Sequence, residues 1–199
     1  MIVPDRTVVF LDYQNVYRRA RAAFHDEVND PAVRGQIDPL ALAQLLTSRG
    51  TASRQLQQVR VYRGRPDSAK QPDSYGANLR QCDAWRQLSP VVHVTTRILR
   101  YPLNWPGERA QEKGIDVSLA VDFVVMAVRG EYDTGIIMST DTDLKPALEA
   151  VVTLRGANGY PRCEVAAWSL PRGHSRRLAI DTAPLYQSVA DLTNYNAIP

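Results

Sequence analysis

Apolar residues in this chain fall into short runs, and the runs alternate with longer stretches of helical composition. Residues 7–11, 57–64, 91–99, 134–139 and 163–169 read as strands. They are apolar or rich in β-branched residues, and too short to be helices that pack on their own. The first and fourth show almost no polar alternation, the pattern of strands buried on both faces. Between them the pattern changes period. Residues 15–23 have helix-forming composition, and Asn29-Asp30-Pro31 breaks the chain. Asp38 then reads as an N-cap with Pro39 at the first helical position, leading a helix with Leu40, Leu42, Leu45 and Leu46 that Gly50 ends. Leu79, Cys82 and Trp85 recur at helical spacing within a helix over 75–88. Residues 114–129 are ambiguous: Val117, Val121, Val124, Val125 and Val128 favour a strand, and the length favours a helix. The spacing is read as a helix that is apolar nearly all round, buried against the sheet and terminated by Gly130. A helix over 144–154 tolerates Pro146 in its first turn, and a short helix is predicted over 175–180. Loops are expected over 65–73, 101–111 and 156–159, with a loose end over 194–199.

This order implies an α/β fold with a mainly parallel central sheet of about five strands, flanked by helices on both faces. At 199 residues the chain reads as a single domain. Composition narrows the class. With 44% hydrophobic and 23% charged residues, the chain is an ordinary globular one. It has no apolar run near about 18 residues, so no membrane helix is expected. Residues 1–6 lack the pattern of a secretory leader, and the two cysteines, Cys82 and Cys163, have no CxxC spacing. Zinc or a redox pair is therefore not expected, and the expected compartment is a reduced cytoplasm.

Charge is uneven. Residues 54–113 carry 11 Lys/Arg against 5 Asp/Glu, and the remainder 13 against 16. A basic middle beside acidic clusters suits an enzyme acting on a polyanion. Arg outnumbers Lys 21 to 3, so a coding bias towards arginine stays open as the other explanation.

The candidate chemistry lies where carboxylates stand in or just after apolar runs. Asp12 follows the first strand, with Asn15 three residues on; Ser139, Asp141 and Asp143 follow the fourth. In an open α/β sheet, ligands bind outside the carboxyl ends of the strands. Asp116, in Lys113-Gly114-Ile115-Asp116, sits at the start of its helix, where the dipole eases its charge. Two like charges about 4 Å apart cost roughly 4 kcal/mol at an effective dielectric near 20, so such a group calls for a cation. Oxygen-only ligation suits Mg²⁺ or Mn²⁺. Helix capping is the alternative role for Asp12, Asn15, Asp141 and Asp143. Asp122, six residues past Asp116, cannot easily share its ion; it either supports the site from behind or pairs with a basic residue. Arg63 and Arg65 end the second strand and Arg97 and Arg100 the third, placed to grip phosphates, or else to pair with Asp67 or Asp73 or lie in solvent. The histidines, His25, His93 and His174, fall outside these segments, and no glycine-rich phosphate loop is present.

The series Phe10-Leu11-Asp12-x-x-Asn15, Lys113-Gly114-Ile115-Asp116-x-x-Leu119-x-x-Asp122 and Ser139-x-Asp141-x-Asp143-Leu144-x-Pro146 resembles the NYN domain, in the PIN-like group that includes the LabA-like bacterial proteins. The likeness covers about residues 7–170 and leaves 171–199 as a C-terminal extension. It implies a Rossmann-like PIN fold and metal-dependent RNA cleavage. Asp12, Asp116, Asp141 and Asp143 would be its acidic set, Asn15 their polar companion, and Lys113 and Ser139 a phosphate contact and a support. RNA is the expected partner, no membrane is expected, and self-association stays open. Other Mg²⁺ phosphoesterases fit less well: a Toprim site would place Glu where Asp12 stands, and a haloacid-dehalogenase phosphatase needs Asp-x-Asp there. A module that binds RNA or protein without cutting is the alternative of a different class.

Overall fold

The computed structural model describes residues 3–26, 29–31, 33–50, 53–169, 178–191, 195 and 198. Its strands are β1 (Asp5–Asp12), β2 (Arg54–Arg65), β3 (Val92–Ile98), β4 (Thr134–Met138), β5 (Arg162–Trp168) and β6 (Tyr186–Ala190). Its helices are α1 (Tyr13–Phe24), α2 (Pro39–Ser48), α3 (Pro72–Leu88), α4 (Ile115–Val128) and α5 (Lys145–Thr153). The strands form one sheet in the order β3-β2-β1-β4-β5-β6, and every pairing is parallel.

β1 lies inside the sheet, and Val8, Val9, Phe10 and Leu11 are fully buried. Alternation divides them between two cores. Val9 and Leu11 face Val16 of α1, Leu42 and Leu46 of α2 and Trp85 of α3. Val8 and Phe10 face Leu119 and Phe123 of α4 and Leu148 of α5. Phe10 meets the Phe123 ring edge-on at 5.1 Å. The chain winds outward from β1 to β3, then crosses back through α4 to β4 on the other side of β1. The helices after β1 and β4 therefore leave on opposite faces, and a crevice opens between those two strand ends.

Several expectations need correction. β2 is longer than 57–64, because the alternating polar segment from Arg54 pairs with β1 as well. A sixth strand, β6, was not predicted: it is only five residues long, about half polar, and at the edge needs a single partner. Residues 178–180 are not helical, and 175–177 lie outside the described residues. Leu178 and Ile180 instead bury their side chains in the core beneath α4 and α5. The expected loose end is pinned at Tyr195, whose hydroxyl accepts from the Gly35 N–H at 2.9 Å. α4 is not buried all round. One layer of helix covers that face of the sheet, so Ile115, Leu119, Phe123 and Met126 are buried while Val117, Val121 and Val128 stay exposed.

One buried ion pair ties the amino end of β2 to β5. Arg54 Nη1 donates to Glu164 Oε2 at 2.9 Å, and its other terminal nitrogen reaches Oε1. Both side chains are about 95% buried. Removing one partner leaves the other charge buried and unpaired, which costs about 3–5 kcal/mol. Arg54→Met is expected to lose that much in urea unfolding, and Arg54→Met with Glu164→Leu to regain most of it. An equal loss in the single and double variants would show that packing, not the unpaired charge, sets the cost.

Candidate active site

β1 stops at Asp12 because the chain turns at once into α1, and the same carboxylate caps that helix. Asp12 Oδ1 accepts from the Asn15 backbone N–H at 3.2 Å, and Oδ2 accepts from the Ser139 hydroxyl at 2.9 Å. Ser139 Oγ in turn accepts from the Asp141 N–H at 3.1 Å, and Asp141 Oδ1 from the Asp143 N–H at 3.1 Å. Asn15 closes the link between the two strand ends. Its Oδ1 accepts from the Thr140 N–H at 3.2 Å and the Thr140 hydroxyl at 3.3 Å. Asp12 and Asp141 thus cap the helical turns that follow β1 and β4, whereas the Asn15 side chain bridges the two strand ends.

Asp12 is only 7% exposed. Burial pushes its carboxyl above the usual carboxylate range, and the charges of Asp141 and Asp116 add to the rise. The hydrogen bonds from Asn15 and Ser139 oppose it. A cavity of about 400 Å³ opens at this point, lined by Asp12, Asn15, Asp141, Glu112, Arg18 and Arg19 among others.

Glu112 was not among the sequence candidates. One of its oxygens accepts from the Gly64 N–H, and its carboxyl is also pushed up, first by burial and then by the charge of Asp12. The Gly64 N–H, and after it Arg18 and Arg63, pull it the other way. Gly64 is needed for this fit: a Cβ there would stand 2.7 Å from Glu112 Oε1 and 2.4 Å from a Leu99 methyl. The signal was adjacency, since Glu112 directly precedes Lys113-Gly114-Ile115-Asp116. Arg18 and Arg19 follow Asn15 by three and four residues, the spacing of one helix face, and that signal also lay in the sequence.

The remaining candidates sit as follows. Asp116 is half-buried in the first turn of α4, close enough for its charge to reach Asp12, but it does not line the cavity. Asp143 is exposed on a 3₁₀ turn, Thr142–Leu144, outside the cavity, and Lys113 is exposed on the loop before α4. Asp122 takes the second of its two expected roles, pairing with Arg60 at 2.8 Å and accepting from the Tyr62 hydroxyl at 2.7 Å. Partial burial raises its carboxyl, but the bonds from Tyr62 and Arg60 outweigh this and hold it below the usual range. Arg63 lies over the rings of Tyr13 and Trp85, 5.1 and 5.2 Å from their centroids, and also donates to Gln81. Arg65 lies 5.8 Å from the Tyr75 ring, and Arg97 donates to Ser118 at 2.6 Å. Arg100 is exposed, with its backbone paired to Gln111. His25 contacts the Tyr195 hydroxyl at 2.9 Å, His93 is exposed on β3, and His174 lies outside the described residues.

Among the described residues, no three His, Cys, Asp or Glu side chains stand close enough to hold one ion together. The cavity's acidic donors, Asp12, Asp141 and Glu112, are nonetheless all oxygen, and Mg²⁺ commonly takes one or two carboxylates while keeping several waters. The donor chemistry fits such an ion and does not form a closed cage.

A parallel sheet with this strand order, bearing an acidic cavity where the order reverses, defines a Rossmann-like domain of the PIN-like kind. The NYN domain model matches residues 6–169, and the chain belongs to the NYN domain family, whose members are generally nucleases. A crystal structure of VPA0982, a protein of unknown function from Vibrio parahaemolyticus, is similar in fold. It has a TM-score of 0.56 and 16% identity, with 98% of this chain and 97% of that one covered. No curated protein matches the chain. Among the described residues, no helix is long and apolar enough to cross a membrane.

The raised carboxyl of Asp12 has a measurable consequence. In the window from the ordinary carboxylate range upward, the native state binds more protons than the unfolded state. Stability therefore falls as pH rises through that window. In Asp12→Asn, the amide oxygen can still accept from Asn15, and the amide N–H can donate to Ser139 Oγ. In chelator at neutral pH the variant is expected to melt above the wild type, with the difference shrinking as pH falls through the carboxylate range. Melting curves across pH check this, and a pH-independent difference would show that Asp12 carries no burial cost.

Proposed function

We propose that this chain is a metal-dependent ribonuclease that hydrolyses phosphodiester bonds in the cavity beside Asp12. The observation that carries the reading is a carboxylate 7% exposed at the β1 end, facing Asp141 and Glu112 across a cavity that two arginines also line. A buried carboxylate with two half-buried ones lining the same cavity has no use in a pure polyanion binder, whereas it suits a site that recruits a cation. Asp12 and Asp141 would hold Mg²⁺ or Mn²⁺. When bound, such an ion supplies a more acidic water and neutralises charge on the phosphate.

The chain's own groups do the rest. Ser139 and Asn15 fix the orientation of the Asp12 carboxylate. Arg18 and Arg19 can pair with phosphate oxygens, a charge-assisted contact that positions the phosphorus. Hydrolysis adds the hydroxyl of water to phosphorus, breaks the P–O bond to the leaving nucleoside and returns a proton to its oxygen. Glu112, whose burial raises its proton affinity, is the cavity group suited to take the proton from the attacking water. Its hydrogen bond from Gly64 keeps the carboxylate from swinging away.

One observation favours a second reading. Because no three acidic side chains among the described residues converge, a module that binds RNA without cutting it is the alternative. Labelled RNA incubated with Mn²⁺, with Mg²⁺ and with chelator separates the two. The nuclease reading expects cleavage with one of the ions, none in chelator, and a loss of at least about 100-fold in Asp12→Asn and Asp141→Asn, with a smaller loss in Glu112→Gln. Saturating Mn²⁺ at about 100 times its Kd should also stabilise the wild type by about 2.7 kcal/mol, and Asp12→Asn much less. RNA binding without cleavage under every condition would establish the binding module instead.

A further inference from the structure

The acidic cavity does not end at Glu112. Through Gln14, Arg18 and Glu112 it is continuous with a groove of about 920 Å³ between the end of β2, α3 and residues 99–112. That groove shares Glu108 and Gln111 with a third depression of about 590 Å³ beside residues 100–104. The path holds more cations than anions: Arg18, Arg63, Arg80 and Arg109 line the groove against Glu108 and Glu112, and Arg100 lines the far depression.

The partners of these arginines are informative. Away from the path, Arg6, Arg54, Arg60, Arg86, Arg129 and Arg162 each hold a carboxylate, whereas among the described residues Arg155 holds none and Arg97 donates to Ser118. Among the described residues, Arg80, Arg109 and Arg100 hold none, and all three are exposed. Arg18 stands against the side-chain amide of Gln14. Arg63 is immobilised by its two rings and lends a fixed charge to the wall. In the far depression, Arg100 adjoins Tyr101, Pro102 and Leu103, a cation beside an aromatic and apolar wall. The Tyr101 hydroxyl accepts from the Asp67 N–H at 2.9 Å and donates to Gln71 at 2.8 Å, Trp105 packs at right angles to its ring and Lys70 Nζ stands 4.5 Å from the ring centroid, so the ring is held in place with a second cation against it.

We infer that this path is the binding track for one arm of a single-stranded RNA, running from the cavity over Arg80 and Arg109 to the wall formed by Tyr101. The inference rests on the ribonuclease reading and adds the strandedness of the substrate and the direction in which it leaves the site. Unpaired guanidinium groups take the phosphates. The concave, partly apolar wall takes bases, which only an unpaired strand can turn outward; a duplex hides them in its grooves.

The test uses the full chain carrying Asp12→Asn, so that bound RNA survives. Its affinity for a labelled single strand of about a dozen nucleotides is measured across a salt series, with and without Arg80→Ala plus Arg109→Ala. Each phosphate contact on a single strand contributes about 0.7 to the slope of log K against log salt. The double substitution should lower the slope by about 1.4 and weaken binding about 25-fold at 0.1 M salt. Arg129→Ala with Arg155→Ala removes the same formal charge at the C-terminal ends of α4 and α5, and should leave the slope unchanged. In the active chain, Arg80→Ala with Arg109→Ala should raise KM for the same strand while kcat stays within about twofold, and a dinucleotide should be cut as by wild type. An unchanged slope in a chain that still cuts RNA would remove the track and leave the nuclease reading standing. Equal losses for duplex and single strand would overturn the assignment of strandedness. Absence of both RNA cutting and RNA binding in the wild type would bring down both readings.

Discussion

The rest of the site depends on the burial of one carboxylate. Asp12 stands where β1 and β4 part, with the helices that follow them on opposite faces of the sheet. A crevice at that position is a consequence of strand order, and something polar has to close its floor. Asp12 does so at a desolvation cost that two hydrogen bonds only partly offset, so its proton affinity rises. A carboxylate kept in that condition gains from any cation that arrives. The same cost that weakens the empty fold thus becomes affinity for an ion or for a positively charged partner.

Asp12 would be of little use if the strand ends moved independently. Asn15 prevents this: its side-chain oxygen binds the Thr140 backbone and hydroxyl, while its own N–H caps onto Asp12. Ser139 performs the matching task from the other side, donating to Asp12 and accepting from Asp141. Two loops from distant parts of the sequence are thereby locked in register by short polar side chains. Ala at either position would leave the sheet intact and loosen the site, since these bonds join loops and not strands.

What could be read from the sequence follows from how local the signal was. β1 and β4 were legible because a parallel strand buried on both faces shows an apolar run that ends abruptly at the site. Asp12 and Asp141 came with them, and so did α2, whose Asp38-Pro39 start is a local signal. Glu112 was not legible, because its role depends on Gly64, which lies 48 residues away in sequence and meets it only once β2 and the loop before α4 are stacked. The exposed stripe of α4 was misread because valine composition cannot say how many layers cover a helix. β6 and the anchoring of Tyr195 were missed for a related reason: both are edge contacts that depend on finished neighbours. Arg63 ends its strand as expected, yet the rings of Tyr13 and Trp85, from α1 and α3, claim its guanidinium.

The arginine content shows where sequence reasoning stops and geometry takes over. With 21 arginines against 3 lysines, composition alone cannot separate a coding preference from a polyanion-binding surface. A coding preference sets how many arginines there are; it does not set which ones go without a carboxylate. An unpaired guanidinium beside others of its kind raises the local potential and favours neutralisation by an outside anion. Arg80 and Arg109 sit in this condition along the groove that opens from the acidic cavity, while Arg54 and Arg60 are committed to Glu164 and Asp122. Negative charge at the floor and positive charge along the approach are opposed in sign and adjacent in space. On the ribonuclease reading, a polyanion would satisfy both with a cation beside it at the floor, and that requirement would tie the carboxylates to the arginines as parts of one site.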